Sequence, residues 1–435
     1  MRRGLFLSGG AALTLTLSLL IGDGCKSSSN GPTGGGGVGG VITVTGKVIG
    51  QNGQAVAGVP VFVTGKVSTN SDAGGNFSIT GVTTPYDITV VDAVNKQSLV
   101  YKGLTRSDPT LVFLGSSPGT ARHGTINGQI FGTGYPQGVN DITKVVAASA
   151  EAAGSASTAA SGTFGPVNLT WYGPTATTAN LYALQYTRDV NLFPVASGYK
   201  GYGVRSGIAV NDGGTLNNQF DTLQAVATTQ FTATVTIPAS YTLSAKVLFV
   251  RVSQYAAINI LSDGTTNSAL SYYTPAIPGA TLLLETTAIK APGNGTAYFK
   301  NGMGTGATGV AVTIPAAPDL SLPIDNATGV DTTVTFSWTA MAGAIHLLIL
   351  TSSGNPQYVI LTSGTSATIP NLKGLGLGLP SSQLYSWTVY GFGSFGSADD
   401  AAGAAGFLGA LVSPTALTTD GFYGISAMRH FTSAP

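Results

Sequence analysis

A single cysteine, Cys25, in 435 residues leaves no disulfide within the chain to brace a domain. Each domain must therefore be held by its own apolar core. Hydrophobic residues are 43% of the chain, with 17 Tyr and 17 Phe, which excludes global disorder. Charged residues are only 9%, against about 25% in an ordinary soluble domain. Ser, Thr, Asn and 61 glycines take their place, a composition of extracytoplasmic β-rich proteins, and the length allows two to four domains. Without residues 1–24 the chain holds 17 basic and 17 acidic residues. Nucleic acid is excluded as a partner on that balance, because phosphate binding draws on an excess of Lys and Arg.

Arg2 and Arg3 precede an uncharged stretch from Gly4 to Gly22, and Gly22-Asp23-Gly24-Cys25-Lys26 follows. This is the layout of a secretory signal peptide over 1–24. Arg2-Arg3-Gly4-Leu5-Phe6 also leaves twin-arginine export open beside the general route. The segment resembles bacterial lipoprotein signals, which implies a diacylglyceryl group on the Cys25 thiol and attachment to a membrane. Gly24 fits that pattern, while Gly22 and Asp23 depart from it. Ordinary cleavage at the same bond is the alternative, since Gly22 and Gly24 supply the small residues it reads. Four glycines between Gly4 and Gly22 disfavour an uncleaved span of ~20 apolar residues. Residues 25–40 then read as the anchor and a Gly/Ser-rich tether, with a reach of roughly 20 Å.

From Val41 the pattern is that of strands. Ile42, Val44, Gly46 and Val48 alternate with polar residues, Gln51-Asn52-Gly53 turns the chain, and Val59, Val61 and Val63 resume the alternation. Phe77, Ile79, Tyr86, Ile88 and Val90 follow a second turn at Asp72-Ala73-Gly74-Gly75. Through Gly46-Lys47-Val48, Gly53 to Val61, Ser71 to Ile79, and Tyr86, residues 41–115 resemble the carboxypeptidase regulatory-like domain. That likeness implies a small transthyretin-like β-sandwich with no chemistry of its own, in a fold that overlaps with carbohydrate-binding sandwiches.

The middle region, 124–315, holds the alternating strand Phe231 to Ile237 and the apolar runs Val247–Val250 and Thr281–Ile289. It is either one enlarged sandwich or two small ones. Ala147 to Ala160, rich in Ala and Ser, reads as a helix or a mobile insertion. Residues 316–435 resemble a fibronectin type III-like sandwich through Pro318, Leu320, Pro323, Val334-Thr335-Phe336-Ser337-Trp338, Ile369-Pro370-Asn371-Leu372 and Tyr385-Ser386-Trp387-Thr388-Val389. Two Trp on facing strands suit such a core. About 30 residues, Gly391 to Gly421, interrupt this pattern before a closing strand near Phe422–Phe431, and connections of that length are functional or disordered. Within them, Ser397-Ala398-Asp399-Asp400 is a helix-capping sequence. The expected fold class is all-β: tandem Ig-like or transthyretin-like β-sandwiches behind a signal peptide and a flexible tether.

Catalytic patterns are absent from the sequence. His123, His346 and His430 stand in different segments, with no metal-ligand spacing. Only Glu151 and Glu285 are glutamates, no Gly-x-Ser-x-Gly elbow stands between a strand and a helix, Gly115-Ser116-Ser117-Pro118-Gly119 reading as a Pro/Gly/Ser break, and Gly374-Leu375-Gly376-Leu377-Gly378 lacks the context of a dinucleotide site. Asp72 and Asp212-Gly213-Gly214 read as turns rather than calcium loops. No catalytic residue, metal ligand or cofactor is expected. Ligand candidates are aromatic: Trp171, Tyr172, Tyr199, Tyr202, Tyr272 and Tyr273 lie beside loop-forming residues, where rings stack on sugars or anchor protein contacts. Packing of the same rings in cores and sheet edges is the weightier alternative. The sequence thus points to a non-catalytic, lipid-anchored envelope protein at the outer membrane or cell surface, serving adhesion, scaffolding or structure. A glycan-binding accessory lipoprotein comes second and an envelope hydrolase third; the partners expected are the membrane, through the lipid, and glycans or other envelope proteins.

Overall fold

The computed structural model describes residues 39–116, 119–132, 135–393, 395–403, 407 and 419–435. The expected signal peptide and Cys25 lie outside the described residues, as does the tether apart from Gly39 and Gly40. Strands dominate what is described. No helix among the described residues is long and apolar enough to cross a membrane.

The chain enters its first sandwich at Val41–Gly50, which pairs antiparallel with Asn76–Thr83 and parallel with Thr110–Phe113. Val44, Val48, Phe77, Ile79 and Leu111 turn inward from this sheet, as the alternation of apolar and polar residues requires. Gly46 is fixed by space: a Cβ there would stand 2.4 Å from the Phe77 ring and from the Pro109 carbonyl. Opposite lies a sheet formed by Pro60–Val63, Tyr86–Asp92 and Gln97–Leu104.

Two separate cores occupy the middle region. Strands from Arg122 to Ala225 form a seven-stranded sheet that folds around Ile126, Phe164, Leu169, Trp171, Leu181 and Val210. Strands from Thr228 to Thr313 enclose a second core, which includes Phe231, Val235, Leu248, Val250, Leu282 and Leu284. Tyr182, Leu184, Tyr186 and Tyr199 of the first unit pack into that second core. Ala147–Ala160, expected as helix or mobile insertion, is instead a hairpin of Asp141–Ala148 with Ala153–Ser157. Ser149 makes its turn, accepting the amides of Glu151 and Ala152 through Oγ. Small residues serve close approach here, since a Cβ on Gly154 would fall 2.2 Å from the Asn168 carbonyl oxygen.

The C-terminal sandwich sets Thr335–Trp338 against Leu384–Gly393. Phe336 meets Trp387 edge to face at 5.0 Å, and Tyr385 stacks on Phe431 at 5.3 Å. Such pairs are worth about 0.5–1.5 kcal/mol beyond the area they bury. The single closing strand expected near Phe422–Phe431 is two: Gly421–Ile425 pairs with the upper half of Leu384–Gly393, and Arg429–Ser433 with the lower half. The break falls at Ser426, whose hydroxyl accepts the Val389 amide at 2.9 Å and donates to the Ala427 carbonyl.

Sequence order and spatial order then diverge. Gln357–Thr362 of the C-terminal sandwich runs parallel to Gln97–Leu104 of the first, from Gln357 opposite Gln97 to Leu361 opposite Tyr101. On its far side the same sandwich pairs Gly421–Ile425 with Asn294–Gly304 of the middle region. One fourteen-stranded sheet therefore runs through the second middle unit, the C-terminal sandwich and the first sandwich. Both faces of the parallel seam are covered: Val359, Leu361, Leu99 and Tyr101 pack into one core, and Tyr358, Ile360 and Val100 into another. Burial on both faces is what a parallel pair demands.

The interruption between Gly391 and Gly421 reinforces this seam. Ala398–Ala401 is a short helix whose N-cap, Ser397, accepts the Asp400 amide. Asp399 at its start accepts the Thr105 and Arg106 amides at 2.9 and 3.1 Å and the Thr105 hydroxyl at 2.5 Å. Arg106 returns a bond to the Asp399 carbonyl at 2.7 Å, and Ala398, Ala401, Ala402 and Phe407 enter the first core. Asp399→Ala leaves three donors of the first sandwich without their acceptor, a loss of about 1–3 kcal/mol. Limited proteolysis should cut the 391–421 segment faster in that variant, with the far-UV circular dichroism unchanged.

Candidate functional site

The six aromatic candidates do not converge. Trp171 is fully enclosed in the core of the Arg122–Ala225 unit, its indole N–H donating to the Pro174 carbonyl at 2.8 Å. Tyr199 is buried as well: it meets Tyr186 edge to face and donates its hydroxyl to the Tyr273 carbonyl at 3.2 Å. Both rings pack within cores and expose almost none of their surface. Tyr272 ties the two middle units together, with its hydroxyl donating to the Pro194 and Ile260 carbonyls. Burial pushes the phenols of Tyr199 and Tyr272 well above their ordinary range. Tyr273 keeps 39% of its surface exposed, and Tyr172 is half-buried at the other end of its unit. Tyr202 lines a cleft.

That cleft arises from strand geometry. Pro194–Asn211 and Gly214–Ala225 are paired only at Gly201 with Ala225 and Tyr202 with Gln224. Past this point they separate, because Gly214–Ala225 turns to run parallel with Arg122–Gly132 on the facing sheet. Gly203, Arg205 and Ser206 line one wall of the opening, and Asp221, Thr222 and Gln224 the other. The loop Ala276-Ile277-Pro278 of the next unit closes it, held by the Ala276 amide donating to the Ala227 carbonyl at 2.8 Å. The cleft is open to solvent, with a volume of about 870 Å³.

Asp221 is the unusual group in this wall. Its residue is 7% exposed, Oδ1 accepts the Thr222 amide at 2.8 Å, and Oδ2 has no hydrogen-bond partner in the protein. Gly203 makes the room, since a Cβ there would lie 2.6 Å from Oδ2. Burial raises the Asp221 carboxyl to about 6, and the Thr222 amide and the Arg205 charge offset part of that rise. Sequence inspection passed over Asp221, though a signal exists: with Leu223 it occupies the inward-facing phase of the strand, a phase otherwise reserved for apolar side chains.

Several other polar groups are committed to structure. His346 is buried against Trp338, its Nε2 accepting the Met341 amide at 3.2 Å, and burial lowers its pKa. Asp72 accepts the Gly74 and Asn76 amides in a turn, and these bonds hold its carboxyl below the usual range. Asp212 accepts the His123 amide and pairs with Arg122 at 2.8 Å. Among the described residues no three His, Cys, Asp or Glu side chains gather as a metal site.

No family model matches the chain, and no curated protein does. Solved structures similar to parts of it include a leucine-rich repeat protein from Bacteroides thetaiotaomicron, at 10% identity, covering 44% of this chain and 26% of that one, with a TM-score of 0.17. The Bacillus anthracis TIE protein is 8% identical over 63% of this chain and 49% of its own, with a TM-score of 0.15. BcpA, the major pilin subunit of Bacillus cereus, is 10% identical over 63% of this chain and 99% of its own, with a TM-score of 0.14. The chain thus spans about a quarter and about half of the first two. TM-scores this far below 0.5 give no basis for transferring a function.

Ionising Asp221 costs the fold. A folded-state pKa of about 6 against an ordinary 3.8 means that this group's stability is fully present below pH ~4 and is lost as pH rises through ~6. Asp221→Asn should therefore be more stable than the native protein at pH 7, by up to about 3 kcal/mol at 1.36 kcal/mol per unit, with the difference vanishing near pH 4. Urea unfolding of both proteins at the two pH values measures it.

Proposed function

We propose that this protein is a non-catalytic, lipid-anchored component of the bacterial cell envelope, in which a stiff assembly of β-sandwiches stands off the membrane on the 25–40 tether. The observation that carries this is the fourteen-stranded sheet running through the second middle unit, the C-terminal sandwich and the first sandwich. Domains joined only by linkers move independently by default. Hydrogen-bonded strands with both faces buried leave no hinge at the seam, which suits a structural, scaffolding or adhesive element held at a fixed distance. The export layout of residues 1–24 and the lone Cys25 support the location. The acyl chains of a bacterial lipoprotein give durable attachment, whereas one chain binds only marginally.

Cys25→Ala should move the protein from the membrane pellet to the soluble fraction; sedimentation of the variant with membranes would remove the anchor from this proposal. The same substitution frees the chain of native thiols, so cysteines placed at the exposed Val67 and Val190 can carry a fluorophore pair. Single-molecule energy transfer should give one narrow distribution. Val359→Pro, which breaks the ladder opposite Leu99, should broaden it; equal widths in both proteins would mean that the seam contributes no stiffness.

A further inference from the structure

We propose that the corner where Pro194–Asn211 and Gly214–Ala225 meet is a pH-operated latch, closed while the Asp221 carboxyl is neutral and sprung when it is charged. The closure itself is small. Gly214–Ala225 pairs with Arg122–Gly132 only as far as Leu223 opposite Gly132, so its last two residues join the sheet through Gln224 with Tyr202 and Ala225 with Gly201. Asp221 stands beside those two pairs. Its carboxyl lies against Gly203, one residue past Tyr202, where a Cβ would fall 2.6, 2.7 and 2.8 Å from Oδ2, Cγ and Oδ1. A disturbance at this point thus meets a strand end secured by two pairs, the kind of element that opens locally while the rest of a fold stays intact.

A neutral carboxyl and a carboxylate make different demands of that place. Oδ1 accepts the Thr222 amide at 2.8 Å, while Oδ2 is buried without a partner. An uncharged acid tolerates one missing bond at modest cost, whereas a buried ion needs several donors or a counter-charge. Asp399, by comparison, accepts two amides and a hydroxyl. The counter-charge for Asp221 is Arg205, which lines the open cleft and favours the ionised form. To reach it and the water around it, the carboxylate must leave the inward phase that it shares with Leu223. Turning that phase outward twists Gln224 and Ala225 off their partners. The other titratable neighbours are phenols: Tyr202, which burial pushes well above its ordinary range, and Tyr182 of Ala176–Arg188, which acts on Tyr202. Ala183 opposite Gly203, Ile130 opposite Asp221 and the Ala276-Ile277-Pro278 loop carry no charge. Since burial raises the Asp221 carboxyl to about 6, the closed corner is fully favoured below pH ~4 and gives way as pH rises through ~6. Release turns Leu223 toward solvent, so the neutral-pH form presents apolar surface that the acidic form covers.

Amide hydrogen exchange of the full mature chain, followed by mass spectrometry and corrected for the intrinsic rate at each pH, tests the latch. The opening constant of residues 219–226 should rise tenfold or more from pH 4.5 to pH 7.5, while residues 97–101 of the seam keep their protection. Asp221→Asn should hold 219–226 closed at both pH values. Gly203→Ala crowds the carboxyl out of its seat and should open the same residues already at pH 4.5. An opening constant that changes less than twofold in the native protein, or a pH response of native size in Asp221→Asn, overturns the proposal. So does native protection in Gly203→Ala at pH 4.5, or an equal rise in residues 97–101, which would be unfolding of the whole molecule. Membrane anchoring does not enter these measurements, so the structural role proposed above stands or falls separately.

Discussion

The parallel pairing of Gln97–Tyr101 with Gln357–Leu361 is the contact on which the arrangement of this molecule depends. An isolated sandwich ends each sheet in an exposed strand whose free N–H and C=O groups invite association. Here two sandwiches consume one another's edges. The price in chain entropy is high, since residues some 260 apart must meet, although closure cost grows only slowly with loop length. Burial offsets it: Leu99, Val100, Tyr101, Tyr358, Val359, Ile360 and Leu361 all lie within apolar cores. At about 0.8 kcal/mol per buried CH₂, a seam of seven large side chains outweighs closure of the loop by a wide margin. The Asp399 clasp adds directional bonds at its border, where apolar packing alone would permit sliding.

How much of this was legible depends on whether a residue's environment is set by its neighbours in sequence. Phe231, Ala233 and Val235 alternate with threonines and are buried on one face, because a half-exposed strand writes its own period. Phe336, Trp338, Tyr385 and Trp387 were equally readable as core. The seam was not read, yet it left a mark: Leu99-Val100-Tyr101 and Tyr358-Val359-Ile360-Leu361 are continuous apolar runs, which signal strands covered on both faces. What no local pattern names is the partner, since either run fits any buried neighbour. Ala147–Ala160 misled for the opposite reason. Its alanines suggest helix by propensity, whereas tertiary crowding at Gly154 and Ala147 selected them for size.

The aromatic candidates show the same limit. Proximity of Tyr and Trp to Gly and Pro marks a turn, but says nothing of which way the ring points. In Tyr199 and Tyr272 the rings face the contact between the two middle units, and their hydroxyls reach the Tyr273 and Pro194 carbonyls across it. A ring buried with its hydroxyl satisfied serves rigidity, as Tyr358 and Tyr385 do in the C-terminal core by donating to the Leu377 and Pro356 carbonyls at 3.0 Å. Tyr202 differs through its position at the point where its strand leaves its neighbour, which leaves one side of the ring beside open space.

Local violations of otherwise consistent patterning concentrate where function demands them. Other buried atoms lack a hydrogen-bond partner, among them His346 Nδ1 and the indole nitrogens of Trp338 and Trp387, but the carboxylates of Asp72, Asp212 and Asp399 each accept several donors. Asp221 departs from that rule in the part of the molecule where two strands splay and a loop from the next unit closes over them. The stiffness that the shared sheet gives to three cores and the exactingly small Gly203 beside the carboxylate thus act in the same sense. One fixes where the sandwiches stand; the other leaves space for a carboxylate inside a packed strand wall.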